Sequence, residues 1–318
     1  MKKTAYILAL LLFAAACNTD KVSDMDFEIV LVNNPGEIYA GDEVTFTFTG
    51  DPDYIVFWSG EDGHKYANRD RTVLSSIDDM TLFYTMKQQY GRVQSDNVMD
   101  ILISKDFTGP YTEEGIASAT WIELSDGSSE EWAVPEKSSS SETLAGTGSL
   151  NDYKDGKFVL AFRYRTSERL DDYVQHPRVD VTLSLSRTSD GQRITTGNPQ
   201  DDFGFRHVLA EGPSAKFTVD ASTILFQPAN DDGSPGIANP SETGFRYVED
   251  WCISNLLDPG AIAPDKGEPV RSLSTPADSW TYSYSTPGIY TVSFSARNAN
   301  AWNMKEIVRE TVIEVKER

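Results

Sequence analysis

The pattern that most constrains this chain is a two-residue alternation that returns along its length. In Val44-Thr45-Phe46-Thr47-Phe48-Thr49 the apolar side chains share one face and the threonines share the other. A strand points successive side chains to opposite faces, so this is a half-buried strand built from β-favouring residues. Val179, Val181, Leu183 and Leu185 alternate in the same way with Asp180, Thr182, Ser184 and Ser186. Phe158, Leu160, Phe162 and Tyr164 share a face, as do Tyr290, Val292 and Phe294. Shorter strands are expected at Phe27–Val32, Tyr54–Trp58, Leu82–Met86, Val98–Ser104, Ile116–Leu124, Trp280–Tyr284 and Val308–Val315, with one or two more in Phe217–Phe226. No stretch carries a convincing helical period, and Gly, Pro, Asn and Asp cluster between the runs. The expectation is an all-β chain of sandwiches. Lys137–Gly148, Gly191–Gly204 and Pro228–Thr243 read as loops, and Trp280–Tyr284 with Ile289–Ala296 reads as a hairpin across a Pro-Gly turn.

The first residues carry an address. Lys2 and Lys3 precede a nine-residue apolar run, Ala5–Phe13, which is too short to span a bilayer as a helix. Ala14, Ala15 and Ala16 then lead into Cys17. Small residues directly before a cysteine are what a lipoprotein signal peptidase reads, so Cys17 is expected to become the lipidated first residue. Several acyl chains on one residue anchor where a single chain would not. An ordinary secretory signal with a chance cysteine is the alternative. Residues 17–28 are acidic and without period, and read as a tether. Cys252, beside Trp251, is then left without a partner and reads as a small buried hydrophobe.

Charge excludes several partners. The formal net charge is −21, and loss of Lys2 and Lys3 brings it to −23. Nucleic acid and anionic lipid both require a basic face. His64, His176 and His207 stand far apart with no motif around them, and no nucleophile elbow or zinc spacing occurs. A glycosidase would need two carboxylates flanking the bond, and nothing marks such a pair. Asp231 and Asp232 could supply oxygen ligands to a structural Ca²⁺, although turn formation explains them without metal.

Two resemblances add to this reading. Tyr282-x-Tyr284, Pro287-Gly288-x-Tyr290 and Val292-x-Phe294-x-Ala296 resemble the second half of a polycystic-kidney-disease (PKD) type domain. Gly41–Gly60 resembles its first half, with Phe57-Trp58-Ser59-Gly60-Glu61 in place of the usual W-x-F-G-D-G. Ser104–Tyr111, Ala119–Leu124 and Phe158–Arg165 resemble the jelly-roll segment of Bacteroidetes lipoproteins described as a domain of unknown function, DUF5017. The resemblance implies immunoglobulin/PKD-like β-sandwiches flanking a jelly-roll (galactose-binding-like) β-sandwich. The expected division is a signal peptide at 1–16, a tether at 17–28, a first sandwich at 29–104, a jelly roll at 105–254 and a C-terminal PKD/Ig-like segment at 255–318. It also implies a surface lipoprotein in the outer membrane that captures polysaccharide beside SusC-like and SusD-like partners, without catalysis. The acidic tether is similar to the surface-export signal of such lipoproteins. A pilus or adhesin subunit is the alternative, and a hydrolase the third.

Sugar capture needs flat aromatic faces outside the cores. Trp58, Trp121, Trp251 and Trp280 lie in alternating strands and read as core. Trp132 and Trp302 lie in polar segments, as do Tyr111, Tyr153 and Tyr173, and these five are the candidate glycan contacts. The high negative charge favours a neutral glycan.

Overall fold

The computed structural model describes residues 21–22, 24–89, 98–135, 142–166, 177–211, 217–227 and 248–318. Cys17, Tyr173, His176, Asp231 and Asp232 lie outside the described residues. The architecture is all-β sandwich. The chain forms two compact units, one from residues up to Thr72 and from Ile262 onward, the other from Val73–Ala261.

The first unit opens with β1 (Glu28–Leu31), β2 (Glu43–Thr49) and β3 (Tyr54–Trp58). The second supplies β4 (Asp79–Gln89), β5 (Met99–Ser104), a short helix α1 (Glu113–Ser118), β6 (Ile122–Glu123), β7 (Glu142–Ser149), β8 (Val159–Thr166) and β9 (Arg178–Ser189). It continues with β10 (Gln192–Thr196), β11 (Arg206–Glu211), β12 (Thr218–Val219), β13 (Ile224–Phe226) and β14 (Val248–Ile253). The first unit resumes with β15 (Glu268–Arg271), β16 (Ser279–Ser283), β17 (Gly288–Ala299) and β18 (Met304–Val315).

In the first unit a β1-β2-β16 sheet faces a β15-β3-β17-β18 sheet. Seven strands in this order make an immunoglobulin-like sandwich. The alternation at 44–49 holds: Val44 and Phe46 are fully buried, and Phe48 packs against the same core. Phe294 meets Phe46, Phe48 and Phe57 with centroids 5.1–5.2 Å apart. Tyr290, near the start of β17, donates its hydroxyl to the Thr286 carbonyl at 2.7 Å. That is the tyrosine corner of such sandwiches.

Three expectations are corrected in this unit. Residues 29–104 do not form a sandwich by themselves. β2 takes its second neighbour from β16, and β3 lies between β15 and β17, so strands after Ile262 complete the core. Trp280–Tyr284 and Ile289–Ala296 are not a hairpin either. They belong to opposite sheets, and the Pro287-Gly288 turn carries the chain across the core. The acidic tether ends earlier than residue 28. Phe27 is fully buried, Asp24 pairs with Lys305, and Glu28 pairs with Arg309 at 2.8 Å. The Asp26 carbonyl passes so close to Gly50 that a Cβ there would lie 1.5 Å from it.

In the second unit a β12-β13-β9-β4-β7 sheet, with β10 also on β9, faces a β11-β14-β8-β5-β6 sheet. Successive long strands alternate between the sheets. Leu160, Phe162 and Tyr164 of β8, with Phe158 just before it, fill the space between them. Val159 and Ala161 point the other way into a second core, with Trp251, Leu102 and Ile116. β8 is therefore buried on both faces. The expected strand at Ile116–Leu124 shortens to β6 at Ile122–Glu123, because α1, capped by the Thr112 hydroxyl accepting from the Gly115 amide, takes Ile116–Ser118. The expected loops also contain strands. β7 lies in Lys137–Gly148, and β10 lies in Gly191–Gly204, joined to β9 by Asp190 and Gly191. Both turn residues have positive φ, 50° and 75°, as a tight hairpin requires.

Candidate functional site

Strand registry lays out one face of the second unit residue by residue. On β4, Met80, Leu82, Tyr84 and Met86 point into the core, so Thr81, Phe83, Thr85 and Lys87 point outward. The outward row through Phe83 runs Thr147–Phe83–Ser184 across β7, β4 and β9. On one side lies Ala145–Thr85–Thr182, then Thr143–Lys87–Asp180; on the other lies Ser149–Thr81–Ser186. Phe83 is 37% exposed, a single ring in a field of hydroxyls. A groove of about 340 Å³ runs beside it, lined by Phe83, Thr85, Thr147, Thr182 and Ser184. Charge enters only at the margin, where Asp180 is held by Arg178 at 2.9 Å and Lys87 stands in the same row. Such a face offers one π surface for a C–H face and many hydroxyl donors and acceptors around it.

Phe83 is absent from the five aromatic candidates read from the sequence. Its signal was present: in Met80–Met86 the phenylalanine falls in phase with Thr81 and Thr85, not with Leu82 and Tyr84.

The candidates themselves are scattered. Trp132 is 7% exposed and belongs to the main core of the second unit, which corrects its reading as an open ring. Its polar flanks misled because the short 3₁₀ turn Glu130–Trp132 folds the indole inward while the glutamates face water. Tyr111 donates its hydroxyl to the Ser254 carbonyl at 3.0 Å, and the Arg206 guanidinium covers its ring at 4.7 Å. The Tyr153 ring meets Phe158 edge-on and has the Lys105 ammonium 4.7 Å above it. Trp302 is 70% exposed, in the first unit, at the β17–β18 turn. The Asn300 side chain accepts from the backbone N–H groups of Trp302 and Asn303 and fixes that turn. Trp58 and Trp251 are buried; Trp121 and Trp280 are half-buried against their cores.

Titratable groups sit in structural roles. Asp100 is 1% exposed and accepts from Arg163 Nε at 2.8 Å and Arg165 Nε at 2.9 Å. Arg163 also reaches Glu123 at 3.3 Å, so its guanidinium bridges the two carboxylates. Burial pushes the Glu123 carboxyl up, and the Asp100 charge adds to this. His207 lies in β11 within 2.8 Å of Asp250, whose carboxyl is raised by burial. The His64 ring lies within 2.7 Å of the Lys266 carbonyl. Cys252 is fully buried, and burial pushes its thiol well above the ordinary range, so it is inert as a nucleophile. Among the described residues no group of three or more His, Cys, Asp or Glu side chains is placed to hold a metal ion. No helix among them is long and apolar enough to cross a membrane.

No curated protein and no solved structure matches the chain. The model of one family matches residues 16–199, which take in the first strands of the first unit and most of the second, including all of β4, β7 and β9. By that match the chain belongs to the family described as a domain of unknown function, DUF5017.

Proposed function

We propose that this is a lipid-anchored, non-catalytic surface protein that captures neutral polysaccharide on the open face of its second unit. The observation that carries the reading is Phe83, an exposed ring among outward Thr and Ser side chains on β4, β7 and β9. What the ring contributes is an apolar surface for the C–H face of a sugar, with hydroxyl donors and acceptors on the strands to either side. The net charge of −21 would repel polyanions, so the glycan is neutral. SusC-like and SusD-like outer-membrane proteins are the partners this role implies, with Cys17 as the anchor.

Affinity gel electrophoresis against a panel of neutral plant, fungal and host glycans tests it. The wild type is retarded by at least one of them. Phe83→Ala weakens that retardation by about 1–3 kcal/mol, as for a truncated hot-spot ring. Its melting temperature stays nearly unchanged. No retardation on any glycan, or retardation equal in Phe83→Ala, removes the open face from the function.

An adhesin that exchanges strands would use an open edge. β18 is a 12-residue edge strand of the first unit, with Val312 61% exposed. This reading ranks second. Lys305 and Arg309 on that strand are engaged by Asp24 and Glu28, and charged edges of this kind resist added strands.

A further inference from the structure

The second unit holds a cavity of about 370 Å³ whose lining carries one cation, Arg187, and two carboxylates, Asp202 and Asp258, the second of them paired with Lys157. Its size lies at the small end of small-molecule sites, about 300–1,000 Å³. Phe158 and Phe203, both almost fully buried, form its floor, and Leu256, 52% exposed, stands at its rim.

Arg187 is the unusual group here. It is 7% exposed, and among the described residues Asp258 acts on it through space, without a salt bridge. Nη1 donates to the carbonyls of Pro259 at 2.6 Å and Ala261 at 2.8 Å, and Nη2 donates to the Thr196 hydroxyl at 3.4 Å. A guanidinium has five N–H donors, and Nε has no partner. A buried cation with unused donors is costly unless something else satisfies it.

The other polar groups have matching spare capacity. Asp202 Oδ2 accepts from the Gly197 and Asn198 amides, which leaves Oδ1. Asn255 Oδ1 accepts from Arg206 at 3.2 Å and from Tyr111 at 3.4 Å, which leaves its amide nitrogen. Asp258 Oδ2 is paired with Lys157 at 3.2 Å, its Oδ1 accepts from the Gly260 amide at 3.1 Å, and it acts on Arg187 only at longer range. With Asp258 paired to Lys157, the opposite charges of Arg187 and Asp202 are left facing the cavity, and neither sign of ion is favoured over a neutral group. A group that uses Asp202 Oδ1 and the Asn255 amide together, between opposite charges, is uncharged and carries several hydroxyls, each able to donate and accept.

We propose that this cavity is a second binding site, and that it takes one neutral polyhydroxylated ring, a monosaccharide unit, held by Arg187, Asp202, Asn255 and Asp258. It is separate from the open face, which suits an extended chain. The choice of a sugar among neutral polyols rests on the capture reading above.

Ligand-observed NMR and calorimetry with glucose, galactose, mannose, xylose and N-acetylglucosamine test the site on the full chain. At least one sugar binds saturably, with millimolar affinity. Leu256→Trp fills the mouth and weakens that sugar at least tenfold. Asp202→Asn keeps the loop-holding oxygen, leaves the melting temperature unchanged and weakens the same sugar several-fold. Phe83→Ala leaves sugar binding intact, and Leu256→Trp leaves polysaccharide retardation intact. No sugar binding to the wild type, or equal binding to Leu256→Trp and Asp202→Asn, overturns the cavity. Loss of polysaccharide retardation with sugar binding retained removes only the open face and leaves the cavity standing.

Discussion

The indole of Trp132 lies parallel to the ring of Tyr84, with centroids 6.3 Å apart and planes 9° apart. β7 passes directly over this pair. A Cβ at Gly146 would sit 2.0 Å from the Tyr84 ring, and one at Gly148 would sit 2.3 Å from the Trp132 ring. The two glycines therefore face inward because aromatic side chains from elsewhere fill the space beneath them.

Trp132→Ala should cost about 3–5 kcal/mol of stability, as other buried large-to-small changes do. Gly148→Ala should also be strongly destabilising in the wild type. In the Trp132→Ala background the same glycine change should cost little, because the atoms it strikes are gone. Denaturant melts of the two single variants and the double variant measure this coupling. Additive losses would show that the ring does not lie under β7.

This packing also explains what the sequence conceals. Alternation at 44–49, 158–164 and 179–185 is legible because each strand supplies its own inward side chains. β7 is not legible, since Gly146 and Gly148 leave it no apolar period, and its Ser, Thr and Gly content reads as loop. Trp132 is misread for the complementary reason: its neighbours in sequence are polar, while its neighbours in space are Tyr84 and Gly148. The pairing of β3 with β17 spans more than two hundred residues, and no local pattern encodes it. Phe83 was within reach, because its phase among the threonines of β4 already places it on the outer face.

Tyr84 gives a pH dependence. Burial pushes its phenol up to about 12, from an ordinary value of 10. Its hydroxyl donates to the Ala133 carbonyl at 2.7 Å and so must stay protonated in the fold. A raised folded-state value means that the unfolded chain loses this proton first. Stability from this group is whole below pH 10 and is lost as pH rises from 10 toward about 12. Tyr84→Phe should be less stable than wild type at pH 8, and the gap should narrow by pH 11.5. A gap that stays constant across this range in urea melts would contradict the assignment.

The anchor is tested at Cys17, which follows three alanines. Cys17→Ala should move the protein from the membrane fraction to the soluble fraction and abolish acyl labelling. A variant that remains membrane-bound with unchanged labelling would sink the lipoprotein reading.

The division of the chain makes a sharper demand. The second unit begins and ends side by side, with Val73 bridged to Ala261 and the Leu74 amide bonded to the Gly260 carbonyl at 2.8 Å. Within the first unit the Ile262 amide bonds to the Thr72 carbonyl at 3.1 Å, so the strands on either side of the insertion already meet. Bridged residues of antiparallel chains stand about 4.5–5.5 Å apart. A linker of about three glycines can therefore replace residues 73–261, at a loop-closure cost that grows only slowly with length. The shortened chain keeps both sheets and the whole Phe27–Val315 core, so it should fold cooperatively, with a dispersed NMR spectrum and a sigmoidal melt. A fragment of residues 21–104 keeps β2 and β3 but loses β15, β16, β17 and β18, and with them Phe294 from the centre of the core. It should show no cooperative transition. A folded 21–104 fragment would mean that the first sandwich does not need the strands after Ile262, and an unfolded deletion chain would mean that the first unit does not fold without the second.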